Sequence, residues 1–259
     1  MSETPLPSVF LAHGSPMLAL DGEAWGEAVK ALGRRLPPLR AILVCSAHWE
    51  AGGPFRLSSA AAPGVMHDFG GFPEALYALD YPAPGAPAVA DEAAGLLREA
   101  GLEAVLDPQR PLDHGAWVPL RYLRPGADIP VVQLSLPRPR TPQQLLAAGR
   151  ALAPLRSRGV LILGSGGIVH NLGRLDWQGA DGPRPWALAF QGWIRDRLDA
   201  GDQAALMDWP QAPGARESMP TSEHLDPLFL ALGAAGGAPE TLHDGWQLGS
   251  LSLASYVFA

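Results

Sequence analysis

Short apolar runs punctuate the chain at residues 9–12, 42–45, 131–134, 160–163 and 255–258. Runs of this length without polar alternation predict strands covered on both faces. Between them the spacing and the capping signals predict helices over 23–36, 88–100, 117–123, 142–156, 185–198 and 222–232. The fourth has the fullest signature: Thr141 as N-cap, Pro142 as the first helical residue and Gln144 as the capping-box partner. Strands alternating with helices imply an α/β fold, a single domain with a mostly parallel central sheet flanked by helices. The active site of such a sheet is expected at the carboxyl ends of its strands.

Composition narrows the possibilities without choosing among them. The 27 prolines and 30 glycines are spread along all 259 residues rather than gathered into a linker, so residues 1–259 read as one domain. The 26 acidic and 19 basic side chains leave a net charge of −7, and the basic residues are scattered, which argues against nucleic acid as a partner. No apolar stretch reaches the roughly 18 residues of a membrane span, and the start MSETPLPSVF does not read as a signal peptide, so a soluble, cytoplasmic protein is expected. The sole cysteine, Cys45, excludes an internal disulfide and a thiolate metal cage; inside an apolar run it reads as a small buried hydrophobe. Oligomeric state stays open, a homo-oligomer included.

The histidines gain meaning from their positions. His13, His48 and His170 each follow an apolar run, which puts all three at the edge where ligands bind in an open α/β sheet. His114 lies in Leu112-Asp113-His114-Gly115, where Asp113 could cap a helix or orient the imidazole. His224 adjoins Glu223 at the start of the last expected helix, and neighbours on a helix point about 100° apart, so at most one of the two reaches a shared ion. Imidazoles, with or without one carboxylate and lacking a thiol, suit Zn²⁺ or Fe²⁺ with positions open to water or substrate.

Other features carry less. Gly164-Ser165-Gly166-Gly167 lacks the remaining residues of a phosphate-binding motif and reads as a strand-to-helix turn. Ser15 and Ser165 lack the context of a hydrolase nucleophile and read as turn or cap residues. Trp49, Phe69, Phe72 and Tyr81 are candidates for packing an aromatic substrate or for anchoring loops. His67 could rim a pocket, and His243 reads as an exposed turn residue.

These stretches together resemble the class III extradiol ring-cleavage dioxygenases, within them the DOPA 4,5-dioxygenase (LigB-like) type. The matching segments are His13-Gly14-Ser15-Pro16, Ser46-Ala47-His48-Trp49, Asp68 through Pro73, Tyr81-Pro82-Ala83-Pro84-Gly85, Leu112 through Gly115, Gly164 through Gly167 with His170-Asn171, and Glu223 through Leu228. They run in family order over nearly the whole chain. The resemblance implies one divalent ion per chain, Fe²⁺ for ring cleavage or Zn²⁺ as a resting metal, held by His13, His48 and His224. It places His170 as a further ligand or a nearby base, and His114 beside the substrate as an acid/base group. The wider class uses two histidines and an acidic ligand, so the choice between Glu223 and His224 stays open.

The implied partners are a small aromatic diol and O₂. A catechol chelates the ion through both oxygens, His170 or His114, with ordinary values near about 6.5, takes a phenolic proton, and O₂ opens the ring to a muconic semialdehyde. An arginine could pair with a substrate carboxylate, though none is singled out. Two other readings remain: a zinc-dependent hydrolase built on the same histidines, and a Memo-like binding protein without turnover.

Overall fold

In the computed structural model, which describes residues 4–177 and 182–259, ten strands form: β1 (Ser8–Ala12), β2 (Ala41–Gly52), β3 (Phe55–Ser58), β4 (Ala104–Asp107), β5 (Val131–Arg138), β6 (Val160–Gly166), β7 (Pro239–His243), β8 (Trp246–Gln247), β9 (Leu251–Ser252) and β10 (Ser255–Phe258). Eight of them make one sheet in the order β4-β3-β5-β2-β6-β1-β10-β7, and β8 pairs with β9 alone. The centre is parallel: β5, β2, β6 and β1 run the same way. Its flanks are not, since β10 lies antiparallel to β1 and to β7, and β3 antiparallel to β5.

The helices are α1 (Glu23–Arg35), α2 (Glu74–Tyr77), α3 (Pro87–Glu99), α4 (His114–Leu123), α5 (Pro142–Leu152), α6 (Pro185–Asp199), α7 (Gln203–Met207), α8 (Ala215–Ser218) and α9 (Asp226–Ala234). Successive residues of the central strands feed opposite cores. Val9, Leu11, Ile42, Val44, Leu161 and Leu163 pack towards α1 and α4, whereas Phe10, Leu43, Val160 and Ile162 pack towards α3, α5, α6 and α9. Both faces are covered, so both residue sets are apolar and the alternation disappears from the sequence. At roughly 1.5–3 kcal/mol for each fully buried large side chain, these two layers supply the main stabilisation of the sheet.

Three helix boundaries differ from expectation for identifiable reasons. Helix α4 begins at His114 because the Asp113 carboxylate accepts from Ala116 N at 3.1 Å. Helix α5 ends at Leu152, and a 3₁₀ stretch (Ala153–Arg158) follows, because Pro154 has no N–H for the α ladder. Helix α9 begins at Asp226, so Glu223 and His224 sit in the turn before it. No helix among the described residues is long and apolar enough to cross a membrane.

Candidate metal centre

Five histidines converge at the carboxyl ends of β1, β2 and β6. His13 directly follows β1 and extends its pairing with β6, donating from its N–H to the Gly166 carbonyl at 3.0 Å. His48 lies within β2 rather than beyond it, in the stretch where pairing with β5 loses register between Cys45 and Glu50. His114 opens α4, His170 follows β6, and His224 sits in the turn before α9. The ring of His13 lies 4.9 Å from that of His48, 5.4 Å from His114 and 5.3 Å from His224, centroid to centroid.

The partner of each ring fixes what its remaining nitrogen can do. Ser165 donates its hydroxyl to the Gly115 carbonyl, and its oxygen lies 3.0 Å from His13 Nδ1. A hydroxyl with its proton so used can only accept from that nitrogen, so His13 carries its proton on Nδ1 and a lone pair on Nε2. That Nε2 faces His48 Nε2 at 3.0 Å. His224 Nδ1 lies 3.0 Å from Glu223 Oε1, while His224 Nε2 is buried without a hydrogen-bond partner. The Asp68 carboxylate accepts from His114 N at 2.8 Å and lies 3.0 Å from His114 Nδ1 and 3.7 Å from His48 Nδ1.

A divalent ion fits this donor set. Two nitrogens bound to one ion at about 2.0–2.1 Å stand about 3 Å apart, as the His13 and His48 Nε2 atoms do. The orphaned Nε2 of His224 needs a partner, and a carboxylate or hydroxyl behind each imidazole is the usual arrangement around a metal. The nitrogens of His13, His48 and His114 lie close enough to share an ion, as do the donor atoms of His170, Glu223 and His224.

The electrostatics favour neutral, metal-ready rings. Burial, reinforced by the neighbouring histidines, holds His13 and His224 well below the ordinary histidine value. Burial brings His48 down to about 3 and His170 to about 4. Burial alone would push the Asp68 carboxyl up, but its hydrogen bonds to His114 and the charges of His114 and His48 bring it down to about 2.

Backbone packing holds the ligand turn against the sheet. A Cβ on Gly166 would stand 2.0 Å from the His224 carbonyl oxygen, so the glycine run lets the turn approach β6 rather than cradling a phosphate. Gly167 N also donates to that oxygen at 2.8 Å. Arg140 clamps the other side, donating to Asp226 at 2.5 Å and to Glu50 at 2.6 Å. A Cβ on Gly115 would meet Ser46 Oγ at 2.4 Å and His48 Cδ2 at 3.0 Å, so only glycine lets α4 start this close to the histidines.

His48, His114, His170 and His224 line a cavity of about 470 Å³ together with the apolar side chains of Phe69, Phe72, Leu172, Leu175, Trp177 and Leu251. Phe69 and Phe72 therefore line the site. Trp49 is instead covered by the Arg110 guanidinium at 4.9 Å, and buried Tyr81 donates to the Arg124 carbonyl at 2.9 Å, so both are anchors. Asp113 caps α4 and accepts from Arg110 at 2.7 Å; the carboxylate beside His114 is Asp68. His67 packs against Phe69, Tyr77 and Trp117, just outside this lining. Half-buried His243 ends edge strand β7 rather than lying in a turn. Cys45 is fully buried, and burial pushes its thiol up.

Sequence reasoning did not assign a role to Asp68 or a histidine partner to Ser165. A carboxylate and a hydroxyl distant in sequence give no signal of their partner until the fold brings them together. His170 stacks on His224 at 3.4 Å with 8° between the ring planes.

The chain is similar to known proteins over nearly its whole length. Residues 7–259 match the family described as the catalytic LigB subunit of aromatic ring-opening dioxygenase. The chain is 40% identical over 261 residues to a 4,5-DOPA dioxygenase extradiol of Escherichia coli K12, an alignment covering 98% of this chain and 95% of that one. It is 39% identical to the protein of the same name from Beta vulgaris, over 96% and 95% of the two chains. The crystal structure of an uncharacterized protein from Escherichia coli K12 superposes with a TM-score of 0.84 at 33% identity, covering 98% of this chain and all of the other.

Proposed function

The chain belongs to the LigB family of aromatic ring-opening dioxygenases, and from that membership we propose that its histidine pocket cleaves a catechol beside its diol, with His13, His48 and His224 holding one divalent ion. It is a metal-dependent extradiol dioxygenase acting on a catechol-like substrate with O₂. What supports this ligand assignment is the 3.0 Å separation of His13 and His48 Nε2, with the ring of His224 centred 5.3 Å and 4.9 Å from theirs and its Nε2 buried and unpartnered. Ser165 and Glu223 hold His13 and His224 in the tautomer that turns a lone pair inward. As Fe²⁺, the ion supplies Lewis acidity towards the diol oxygens and a path for electrons between the ring and O₂, which redox-inert Zn²⁺ does not.

The remaining residues manage position and protons. Phe69 and Phe72 pack the ring, and the exposed side chains of Leu172 and Trp177 add apolar surface at the mouth of the cavity. His170 is the base that takes a phenolic proton. Its ring lies parallel to that of His224 and 3.4 Å away, a stack that sets the in-plane lone pairs side by side rather than towards one point, although the nitrogens are close enough to share an ion. Burial keeps His170 neutral, as a base must be before it accepts. His114, whose Nδ1 lies 3.0 Å from the Asp68 carboxylate, lines the cavity and is the second acid/base group.

Oxygen uptake by iron-reconstituted protein over a panel of catechols tests the reading. The expected result is stoichiometric O₂ consumption with the absorbance of a muconic semialdehyde. No ring opening with any catechol at full iron occupancy would sink it, and ester hydrolysis without O₂ uptake would point to a hydrolase.

A further inference from the structure

The two ends of the substrate cavity offer different chemistry. Its outer end continues, through the shared walls Ser15, Phe72, Trp177 and Leu248, into a vestibule of about 340 Å³ that adds Glu23 and Trp246. Apart from the histidines, the charged side chains lining the two spaces are Asp68, Glu223 and Glu23, all carboxylates. No arginine or lysine lines either space among the described residues, and residues 178–181 contain none in their sequence. The lining of these two spaces thus offers a substrate carboxylate no cationic partner; Arg138, which lines a separate space with His48, Glu223 and His224, is paired with Glu50.

Of the three acids, only Glu23 is uncommitted. Asp68 lies against His114 and His48, and Glu223 against His224. A divalent ion at the inner end would balance those two charges and leave Glu23, a solvent-exposed side chain, as the surplus charge at the rim of the vestibule. Its side chain makes no hydrogen bond or ion pair with the described residues. Its backbone stands at φ 47°, a left-handed conformation costly for a residue with a Cβ, with Glu23 N donating to Asp21 Oδ1 at 3.1 Å. The dipole of α1 favours an acid at this position, but it does not account for the three aromatic side chains, Phe72, Trp177 and Trp246, that line the same vestibule. A carboxylate among aromatic faces is the chemistry that holds an organic cation.

We propose that this vestibule selects catechols whose side chain ends in an ammonium group, holding the cation between Glu23 and the faces of Phe72, Trp177 and Trp246, and disfavours catechols ending in a carboxylate. The selection rests on the ring-cleavage reading above, because the diol must be fixed at the histidines for the side chain to reach the vestibule.

Anaerobic calorimetry on the zinc-loaded protein compares dopamine, uncharged 4-methylcatechol and 3,4-dihydroxyphenylpropionate, and turnover of the same three is measured on the iron-loaded protein. Dopamine should bind about tenfold or more tightly than the propionate. Glu23→Gln should shrink the preference for dopamine over 4-methylcatechol by about fivefold, and Glu23→Lys should reverse the order of dopamine and the propionate. Equal binding of the three ligands, or tightest binding of the propionate, overturns the selection even where the iron form opens rings. The expected binding order without ring opening supports the selection and counts against the ring-cleavage reading alone.

Discussion

Ser165 Oγ stands 3.0 Å from His13 Nδ1 and donates its own proton to the Gly115 carbonyl, so one buried hydroxyl sets the tautomer of an imidazole 152 positions away. Both residues are almost completely buried, which shields both bonds from bulk solvent.

Replacing Ser165 by Ala should therefore act on the metal before it acts on the fold. His13 loses the acceptor that keeps its proton on Nδ1, and metal affinity should drop by about 10–100-fold. The unpaired Gly115 carbonyl and His13 N–H should cost about 1–3 kcal/mol of stability. Metal retained after dialysis against a graded chelator measures the first effect, and Ser165→Thr should restore it. His48→Ala, which deletes a donor outright, should retain no metal; undiminished metal content in that variant contradicts the ligand assignment.

Asp68 and His114 should behave in the opposite way. His114→Ala should keep its metal and lose about 10²-fold or more in kcat, because an acid/base group has been removed and no ligand has. Asp68→Asn should also lower kcat while KM changes less, since the carboxylate steers His114 and lies outside the proposed ligand set. Steady-state kinetics on samples of matched iron content check both. A His114→Ala enzyme with wild-type kcat removes that residue from the mechanism.

The contrast between ligands and their partners shows what the sequence could reveal. Runs 9–12 and 160–163 stand out because both faces of their strands are buried, and His13 is conspicuous because it ends such a run. The start of α9 was misplaced because Thr221 and Ser222 imitate a helix cap. In the fold, Ser222 binds the Asp226 carboxylate at 2.8 Å, and its carbonyl closes the turn that carries His224. Glu223 and His224 are consequently not held 100° apart by a helix, and the carboxylate serves the imidazole. The run through His48 reads as a strand end because polar residues begin there, yet β2 continues to Gly52. Asp68, on a loop between strand and helix, reaches His114 only through tertiary packing, which no local pattern encodes.

The buried rings make the metal-free protein acid-sensitive. An unfolded chain protonates histidine near about pH 6.5, whereas the folded chain resists until about 4 at His170 and about 3 at His48, with His13 and His224 also held low. Between those limits the unfolded state binds more protons, so stability falls as pH falls, by up to about 1.4 kcal/mol per pH unit for each ring. Asp68, lowered to about 2, adds its own loss only as pH falls below about 4, the value of an unfolded carboxylate. Thermal melts of chelator-treated protein between about pH 7 and pH 5 should show Tm falling, and His170→Asn should flatten the slope. An unchanged Tm across that range contradicts the neutral cluster.

Adjacent glycines give a test of how the ligand turn is seated. A methyl group on Gly166 would stand 2.0 Å from the His224 carbonyl oxygen and 3.0 Å from its carbonyl carbon, whereas one on Gly167 meets nothing nearer than 3.8 Å. The first contact is with backbone, which no rotamer change relieves, and Gly166 is held in place by its pairing with β1 and by the hydrogen bond from His13 N. The turn must therefore move, and His224 moves with it. Gly166→Ala should cost about 1–3 kcal/mol, lowering Tm by about 2–4 °C per kcal/mol for a chain of this size, and should lose its metal. Gly167→Ala, one residue on and without a left-handed backbone, should keep both stability and metal. Metal content and melting temperature of the two variants decide the matter, and a Gly166→Ala protein that binds metal as tightly as the wild type would show that the approach of this turn to β6 does not position His224.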